Sequence, residues 1–174
     1  AADSPWRRLL APALAGQDIG LLSEAGLPAV ADPGADAVAA AHALGLVVRT
    51  LPGPSSLMLA LAASGLDGQN FAFVGYLPAE SSARRDRIRD LEALSHRQQQ
   101  TQIFIETPYR NAVLLAALID TLAPGTRLSV SLGLTLPAGW SHTATVAQWR
   151  RQPGPLPSAE ALPDRVPAVF LLRA

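Results

Sequence analysis

Two loops rich in glycine and proline carry the residue types that can bind a charged ligand. The first spans residues 23–34 and reads SEAGLPAVADPG, and the second spans residues 51–56 and reads LPGPSS. Both follow predicted strands, and ligands of open α/β sheets bind outside the carboxyl ends of parallel strands. Glycine lets backbone groups approach a ligand, and helix starts at Pro33 and Ser55 would offer unpaired N–H groups to a carboxylate or phosphate. The same spacing also fits ordinary strand-to-helix turns, so both interpretations stay open.

Composition excludes several other kinds of chemistry. The chain has no cysteine, and all of its fourteen basic residues are arginine. Disulfides, thiolate chemistry and lysine Schiff bases are therefore ruled out. His42, His96 and His142 are scattered without metal-ligand spacing, so we expect no metal. No run of about 18 residues is apolar throughout, so we expect no membrane span and a soluble protein.

In the first half of the chain, short apolar runs alternate with helical stretches. This β-loop-α order predicts a mainly parallel sheet with buried strands in an α/β fold. The predicted strands are residues 19–22, 46–51 and 71–74.

Helix boundaries in this half follow from capping residues. We predict a helix over residues 36–44, with Asp32 as its N-cap, Pro33 at its first position and Gly45 as its stop. A second helix begins at Ser55-Ser56 and ends at Gly65.

The pattern breaks at residues 75–79, GYLPA, where the charge balance also changes sign. Residues 1–79 carry three arginines against six acids, and residues 80–174 carry eleven against eight. We therefore predict two small α/β domains, residues 1–74 and 80–174, joined by a linker over residues 75–79. The second half contains helices over 82–94, capped by Ser82, and 111–122, and strands over 103–106, 128–134 and 169–172.

Taken in order, four blocks of the chain resemble one protein family. They read LLSEAGLPAVADPGADAVAAA, LPGPSSLMLALAASGL, FAFVGYLP and IFIETPYR. They resemble the tetrapyrrole-methylase-type S-adenosylmethionine methyltransferases. Within that family they are most similar to the branch that 2′-O-methylates a cytidine of small-subunit ribosomal RNA. The family's first strand and its Gly-rich loop have no counterpart here, and we expect an opening βα unit to be missing.

The resemblance implies a two-domain enzyme that binds S-adenosylmethionine in the cleft between its domains. It also implies a cytoplasmic homodimer that acts on ribosomal RNA or the small ribosomal subunit without a metal. The cofactor-binding residues that it implies are Glu24, Ala25, Gly26 and Pro28 in the first loop, Ser55, Ser56 and Leu57 in the second, and Gly75, Tyr76 and Leu77 in the linker.

Glu106 and Arg110 match the family's Glu-x-x-x-Arg element and are the candidate catalytic pair. A ribose hydroxyl is a poor nucleophile, so a base or an oriented acceptor should assist methyl transfer. Glu106 is the candidate for that role, with Arg110 fixing it or holding an RNA phosphate. A structural ion pair near a strand end is an equally good interpretation of the two residues.

The chain departs from the rRNA-modifying branch at two places. That branch has an Arg-Glu-Leu-Thr-Lys block where this chain reads LGLTL at residues 132–136, and a Gly-Glu where this chain has Val166-Pro167. Two alternatives stay open, and the missing charges favour the first of them. One is a non-catalytic relative that retains the fold or cofactor binding, and the other is a methylase of a small tetrapyrrole.

Overall fold

The computed structural model describes residues 5–151 and 166–174, and the chain divides into two units between Ser55 and Ser56. The first unit contains the helices α1 (Pro5–Leu9), α2 (Ala11–Leu14) and α3 (Ala35–Ala43). The second unit contains, in chain order, α4 (Ser56–Ser64), β1 (Phe71–Tyr76), α5 (Ser81–Gln98), β2 (Thr101–Glu106), a 3-10 turn (Pro108–Arg110), α6 (Asn111–Thr121), β3 (Arg127–Leu132), β4 (Trp140–Thr145), α7 (Val146–Arg151) and β5 (Ala168–Arg173).

The two strands predicted for the first unit do not form. Residues 19–22 and 46–51 belong to no strand, and their side chains are mostly exposed, with Leu22 at 90% and Val47 at 83%. A strand needs a neighbouring backbone to pair its N–H and C=O groups. These apolar runs have no such partner in the described part of the chain, so the prediction of strands here is wrong for this structure.

Helix α3 lies where the sequence predicts it but begins differently. Its N-cap is Gly34, at φ +135°, and no side chain caps it. The Ala29 N–H donates to the Pro33 carbonyl, which keeps residues 29–33 in a loop. The predictions of Asp32 as N-cap and Pro33 as first helical residue are therefore wrong. The helix ends before Gly45, whose φ of +72° confirms the predicted stop.

A mixed five-stranded sheet organises the second unit, in the order β1-β2-β5-β3-β4. Strands β1 and β2 are parallel, whereas the pairs β2–β5, β5–β3 and β3–β4 are antiparallel. The α/β class is confirmed, but the prediction of a mainly parallel sheet is wrong. The reason is that two of the three strands predicted for it, residues 19–22 and 46–51, do not form, while β3 and β4 form a hairpin and β5 inserts between β2 and β3, antiparallel to both.

Apolar side chains fill both faces of this sheet. On one face, α5, α6 and α7 cover a cluster that includes Phe104 and Phe170, whose stacked rings have centroids 5.9 Å apart. On the other face, α4 packs Leu57 and Leu61 against Leu171 and its neighbours. Strands covered on both sides read as continuous apolar runs, which explains why β5 is recognisable from sequence.

Several boundaries differ from the sequence-based ones. Strand β1 pairs with β2, with Phe71 opposite Thr101, so it belongs to the second unit. The division at Ser55 thus lies before the predicted boundary at Gly75. Helix α5 is capped by Glu80 and not by the predicted Ser82. Strand β4 and helix α7 are not predicted, because the run WSHTAT carries little apolar alternation.

Candidate functional site

The end of β1 has an irregular backbone. Phe73 pairs with Ile103 and Tyr76 with Ile105, so β1 carries one extra residue between them. This is a β-bulge, and Gly75 within it has φ +73°, a conformation that favours glycine. Past the bulge, the Tyr76 side chain is 59% exposed whereas Leu77 is 3% exposed and packs in the core. The bulge therefore decides which side chains of the segment face solvent.

Open space adjoins this bulge. A Cβ atom at Gly75 would meet no heavy atom within 4 Å in the described part of the chain. A ligand atom could therefore approach Gly75 from the side of its missing Cβ, and Tyr76, which is 59% exposed, is accessible as well. Bulges are common beside active sites because they redirect side chains there. Of the linker residues implied by the family resemblance, Gly75 and Tyr76 are open to a ligand, whereas Leu77 can contribute only its backbone.

Glu106, the last residue of β2, is buried. Its Oε1 accepts a 2.7 Å hydrogen bond from the Thr107 N–H and a 3.2 Å bond from the Thr107 hydroxyl. Its Oε2 lies 2.7 Å from Arg110 Nη2, a charge contact outside hydrogen-bonding angles. The Glu106 side chain is 1% exposed and that of Arg110 is 27% exposed. The two residues are thus brought together by the short turn between β2 and α6.

This arrangement bears on the two roles that the sequence leaves open for Glu106. A general base must come within hydrogen-bonding distance of the proton that it accepts. Glu106 is enclosed and paired on both oxygens, so it meets that condition only if its ion pair with Arg110 opens. As it stands, the geometry matches the structural ion pair.

Two arginines donate to backbone carbonyls of residues 75–79. Arg110 Nη2 donates to the Leu77 carbonyl at 3.3 Å, and Arg84 Nη1 donates to the Ala79 carbonyl at 2.8 Å. Arg84 is 7% exposed, which is unusual for an arginine. Sequence reasoning missed Arg84, because it is one of four arginines between residues 84 and 89 and only its burial sets it apart.

The first Gly/Pro loop lies in the first unit and is built from tight turns. The Ser23 hydroxyl donates to the Gly26 carbonyl at 2.9 Å, and Gly26 has φ +79°. Glu24, Ala25 and Gly26 are exposed and Pro28 is half-buried. The loop thus presents a carboxylate and accessible backbone groups, the features expected where a positively charged sulfur binds.

The second loop crosses the division between the two units. Ser55, which is half-buried, ends the first unit, and Ser56 begins α4 in the second. Ser56 is exposed, but Leu57 is 4% exposed and packs in the core under α4. Leu57 therefore can contribute only backbone atoms to a binding site in this conformation.

The stretch that lacks the family's charged block forms the β3–β4 connection. The Leu136 N–H donates to the Gly133 carbonyl at 2.7 Å, and the Gly139 N–H donates to the Leu136 carbonyl at 2.8 Å. These successive turns are apolar, and Val166, at the second departure, is 8% exposed with its carbonyl accepting from Asn111. Residues 132–136 and 166–167 themselves contain no charged side chain.

Among residues 5–151 and 166–174, no group of three histidine, aspartate or glutamate side chains is gathered as metal ligands would be. Within the same residues, no helix has both the length and the apolar character needed to cross a bilayer.

Comparison with known proteins gives the family. The family model of the Tetrapyrrole (Corrin/Porphyrin) Methylases matches residues 6–148. A Xylella fastidiosa protein named Ribosomal RNA small subunit methyltransferase I is 41% identical over 116 residues, which cover 67% of this chain and 41% of the relative. The Escherichia coli O157:H7 protein of the same name is 38% identical over 143 residues, covering 80% of this chain and 48% of the relative. The chain thus spans less than half the length of these relatives.

Solved structures share the fold. The methyltransferase CobJ superposes with a TM-score of 0.58 at 19% identity, over 98% of this chain and 72% of CobJ. Uroporphyrin-III C-methyltransferase of Thermus thermophilus, solved with S-adenyl homocysteine, gives a TM-score of 0.51 at 18% identity, over 96% of this chain and 71% of that chain. These structures share the fold, and the match of the family model over residues 6–148 establishes that the chain belongs to the tetrapyrrole (corrin/porphyrin) methylase family.

Proposed function

We propose that the protein is an S-adenosylmethionine-dependent methyltransferase that acts on a ribose 2′-hydroxyl of ribosomal RNA. The observation that carries the proposal is the 38–41% identity to proteins named Ribosomal RNA small subunit methyltransferase I, over 116 and 143 residues of the alignments. The chain spans less than half the length of those relatives. Both the reaction and its acceptor are therefore proposals for this chain.

The residues that would hold the cofactor fit its chemistry. S-adenosylmethionine supplies a methyl group activated by a positively charged sulfur. Glu24 offers an exposed carboxylate, and at Gly26 and Gly75 a Cβ position has no heavy atom of the described residues within 4 Å, so a ligand can approach the backbone there. A carboxylate and peptide carbonyls stabilise a positive charge. The loops would position the donor, and positioning is the main contribution a protein makes to an in-line displacement.

RNA as acceptor is supported by the charge distribution. Residues 80–174 carry eleven arginines against eight acids. Arginine is well suited to phosphate because its guanidinium group donates two parallel hydrogen bonds. In this proposal Glu106 accepts the hydroxyl proton only if its ion pair with Arg110 opens, and Arg110 would then be free to contact a phosphate.

A second candidate is a non-catalytic relative that binds the cofactor. Two observations favour it, namely the apolar turns at residues 132–136 and the enclosure of the Glu106 carboxylate. Both candidates predict cofactor binding, but only the first predicts methyl transfer.

The decisive experiment has two parts. Calorimetric titration with S-adenosylhomocysteine tests cofactor binding by the chain. Transfer of a labelled methyl group from S-adenosylmethionine to small ribosomal subunits that lack the modification then tests catalysis. Binding without transfer would favour the non-catalytic relative, and the absence of binding would contradict both candidates.

A substitution at Glu24 tests the cofactor loop. If its carboxylate faces the sulfonium, Glu24→Gln weakens binding of S-adenosylmethionine by about two- to fivefold, the range of an exposed ion pair. Binding of the uncharged S-adenosylhomocysteine should change less. Asp36→Asn, at an exposed carboxylate in the first turn of α3, is the matched control and should change neither affinity. Equal losses for both ligands would count against a sulfonium contact.

We further propose that the protein acts in the cytoplasm as a homodimer, the state that the family resemblance implies. Light scattering coupled to size-exclusion chromatography measures the mass directly. A monomer at micromolar concentration would contradict the dimer.

A further inference from the structure

Residues 75–79 are held from two sides by buried or half-buried guanidinium groups. Arg110, from the turn after β2, donates to the Leu77 carbonyl, and Arg84, from the second turn of α5, donates to the Ala79 carbonyl. The two arginines are far apart in sequence but reach carbonyls only two residues apart. This convergence on one short segment needs an explanation.

Burying a charged guanidinium group lowers the stability of the folded protein. A buried arginine therefore indicates a specific role for its hydrogen bonds. Arg84 is 7% exposed, and its Nε has no hydrogen-bond partner in the described part of the chain. Leucine and arginine have similar helix propensities, so the formation of α5 does not itself require an arginine at this position. In the described part of the chain Arg84 has no carboxylate within salt-bridge distance, although its charge also acts on Glu80, so its burial comes at the expense of stability. The hydrogen bond from Nη1 to the Ala79 carbonyl is a favourable contact that offsets part of this cost.

Glu106 is the third side chain of this arrangement and contacts Arg110. Its carboxylate lies 2.7 Å from Arg110 Nη2 and is itself anchored by the Thr107 N–H at 2.7 Å. Glu106 therefore orients the guanidinium group that reaches Leu77. The chain of contacts runs from the end of β2, through Arg110, to the segment that follows β1.

The segment itself requires such support. It begins with a bulge and a glycine at φ +73°, and glycine loses more backbone entropy on ordering than any other residue. Hydrogen bonds from charged donors are about twice as strong as neutral ones, so two of them can hold an irregular segment in one conformation. A binding segment ordered in advance does not lose that entropy when the ligand binds.

We propose that Arg84, Arg110 and Glu106 are positioning residues that order the backbone of residues 75–79 for cofactor binding, an inference that rests on the proposed function. In this arrangement Glu106 acts through Arg110 and does not contact the substrate. The alternative role of Glu106, as the base for the acceptor hydroxyl, makes a different prediction for the same variants.

The test uses three substitutions in the full chain, Arg84→Lys, Arg110→Lys and Glu106→Gln. Each substitution keeps the approximate size of the side chain. Lysine lacks the planar guanidinium group with its several N–H donors, and glutamine lacks the negative charge of the carboxylate. Arg89→Lys is the matched control, because Arg89 forms an exposed ion pair with Asp86 at 3.0 Å on the same helix as Arg84. Thermal unfolding first establishes that every variant is folded.

The first readout is hydrogen–deuterium exchange without ligand, measured on peptides that cover residues 75–79. The proposal predicts faster exchange in this segment for all three variants and no change for Arg89→Lys. Unchanged exchange in folded Arg84→Lys and Arg110→Lys would overturn it. The Arg110 side chain is 27% exposed, so we expect Arg110→Lys to fold. The two arginine variants therefore test the proposal even if Glu106→Gln fails to fold.

The second readout is affinity for S-adenosylhomocysteine. We expect losses of about tenfold in the three variants, the equivalent of one charge-assisted hydrogen bond. If Glu106 were the base instead, Glu106→Gln would lower kcat and leave this affinity unchanged, which would overturn the positioning role. If the unmodified chain binds no S-adenosylhomocysteine, the proposed function fails, and the exchange measurement still decides whether the arginines order the segment.

Discussion

At the N-terminus of α5, the Glu80 side chain satisfies backbone groups that the helix leaves unpaired. Its two oxygens accept hydrogen bonds from the Ala83 N–H at 2.7 Å and from the Ser82 N–H at 2.9 Å. These two bonds, with that from the Ser82 hydroxyl and the charge of Arg84, lower the pKa of Glu80 from 4.5 to about 2. The sequence points to Ser82 because serine is a common cap, but the side chain that lies over the free N–H groups is that of Glu80.

The lowered pKa predicts a pH-dependent contribution to stability. Because the folded-state pKa of Glu80 lies below its unfolded value, its contribution is fully present above pH 4.5 and is lost as the pH falls toward about 2. We expect Glu80→Ala to lower the melting temperature at pH 7, and the difference from the unmodified protein to shrink across that window. Thermal unfolding followed by circular dichroism measures it.

Asp86→Ala is the control for this experiment. Asp86 is an exposed carboxylate of the same helix that pairs with Arg89. Its removal should change the melting temperature little at any pH. A Glu80→Ala difference that persisted undiminished at pH 2 would contradict the assigned cause of the lowered pKa.

At the scale of elements, the β3–β4 connection depends on backbone approaches that only glycine permits. A Cβ atom at Gly139 would lie 2.3 Å from the Gly133 carbonyl oxygen and 2.9 Å from that of Leu136. Neither backbone oxygen can move away without breaking the turns that close the hairpin. The apolar, glycine-containing sequence that replaces the family's charged block thus has a structural use here.

We therefore expect Gly139→Ala to destabilise the protein by more than about 1 kcal/mol, because the native backbone leaves no room for a side chain. Gly125→Ala is the matched control, since a Cβ there meets nothing within 4 Å and its φ is not positive. The control should be neutral or slightly stabilising. Urea unfolding of both variants provides the free energies, and equal values for the two would show that the turn is not constrained.

At the scale of the whole chain, buried residues are distributed unevenly between the two units. Among the described residues before Ser56, only Ala41 is buried, at 8% exposure. Both apolar clusters and the whole five-stranded sheet lie from Ser56 onward. Since buried apolar area is the main stabilising contribution in folding, the second unit should account for nearly all of the cooperative stability.

This distribution predicts that residues 56–174 fold without the first unit. A polypeptide of those residues should unfold cooperatively on heating, with a melting temperature close to that of the full chain. Phe170→Ala within it should lower the free energy of unfolding by about 3–5 kcal/mol, because Phe170 is 1% exposed and stacks on Phe104. A gradual, non-cooperative melt would mean that the first unit contributes to the core.

The amino-acid sequence by itself determined the local features of this protein. Helices α3 to α6 and strands β1, β2, β3 and β5 were predictable within a few residues, because each rests on an apolar period or a cap within a short window. The family was also identifiable from sequence, since four ordered blocks carry it. The candidate residues follow from those blocks, although their individual roles remain predictions.

Only the tertiary structure decided what depends on residues far apart in the chain. It left residues 19–22 and 46–51 outside any strand, set β5 antiparallel between β2 and β3, and buried Arg84 and Glu106 beside the Gly75–Ala79 segment. The physical reason is that backbone pairing and desolvation of charged groups are non-local. Whether an apolar run becomes a strand, or a glutamate becomes an enclosed ion partner, depends on which distant groups are available to meet it.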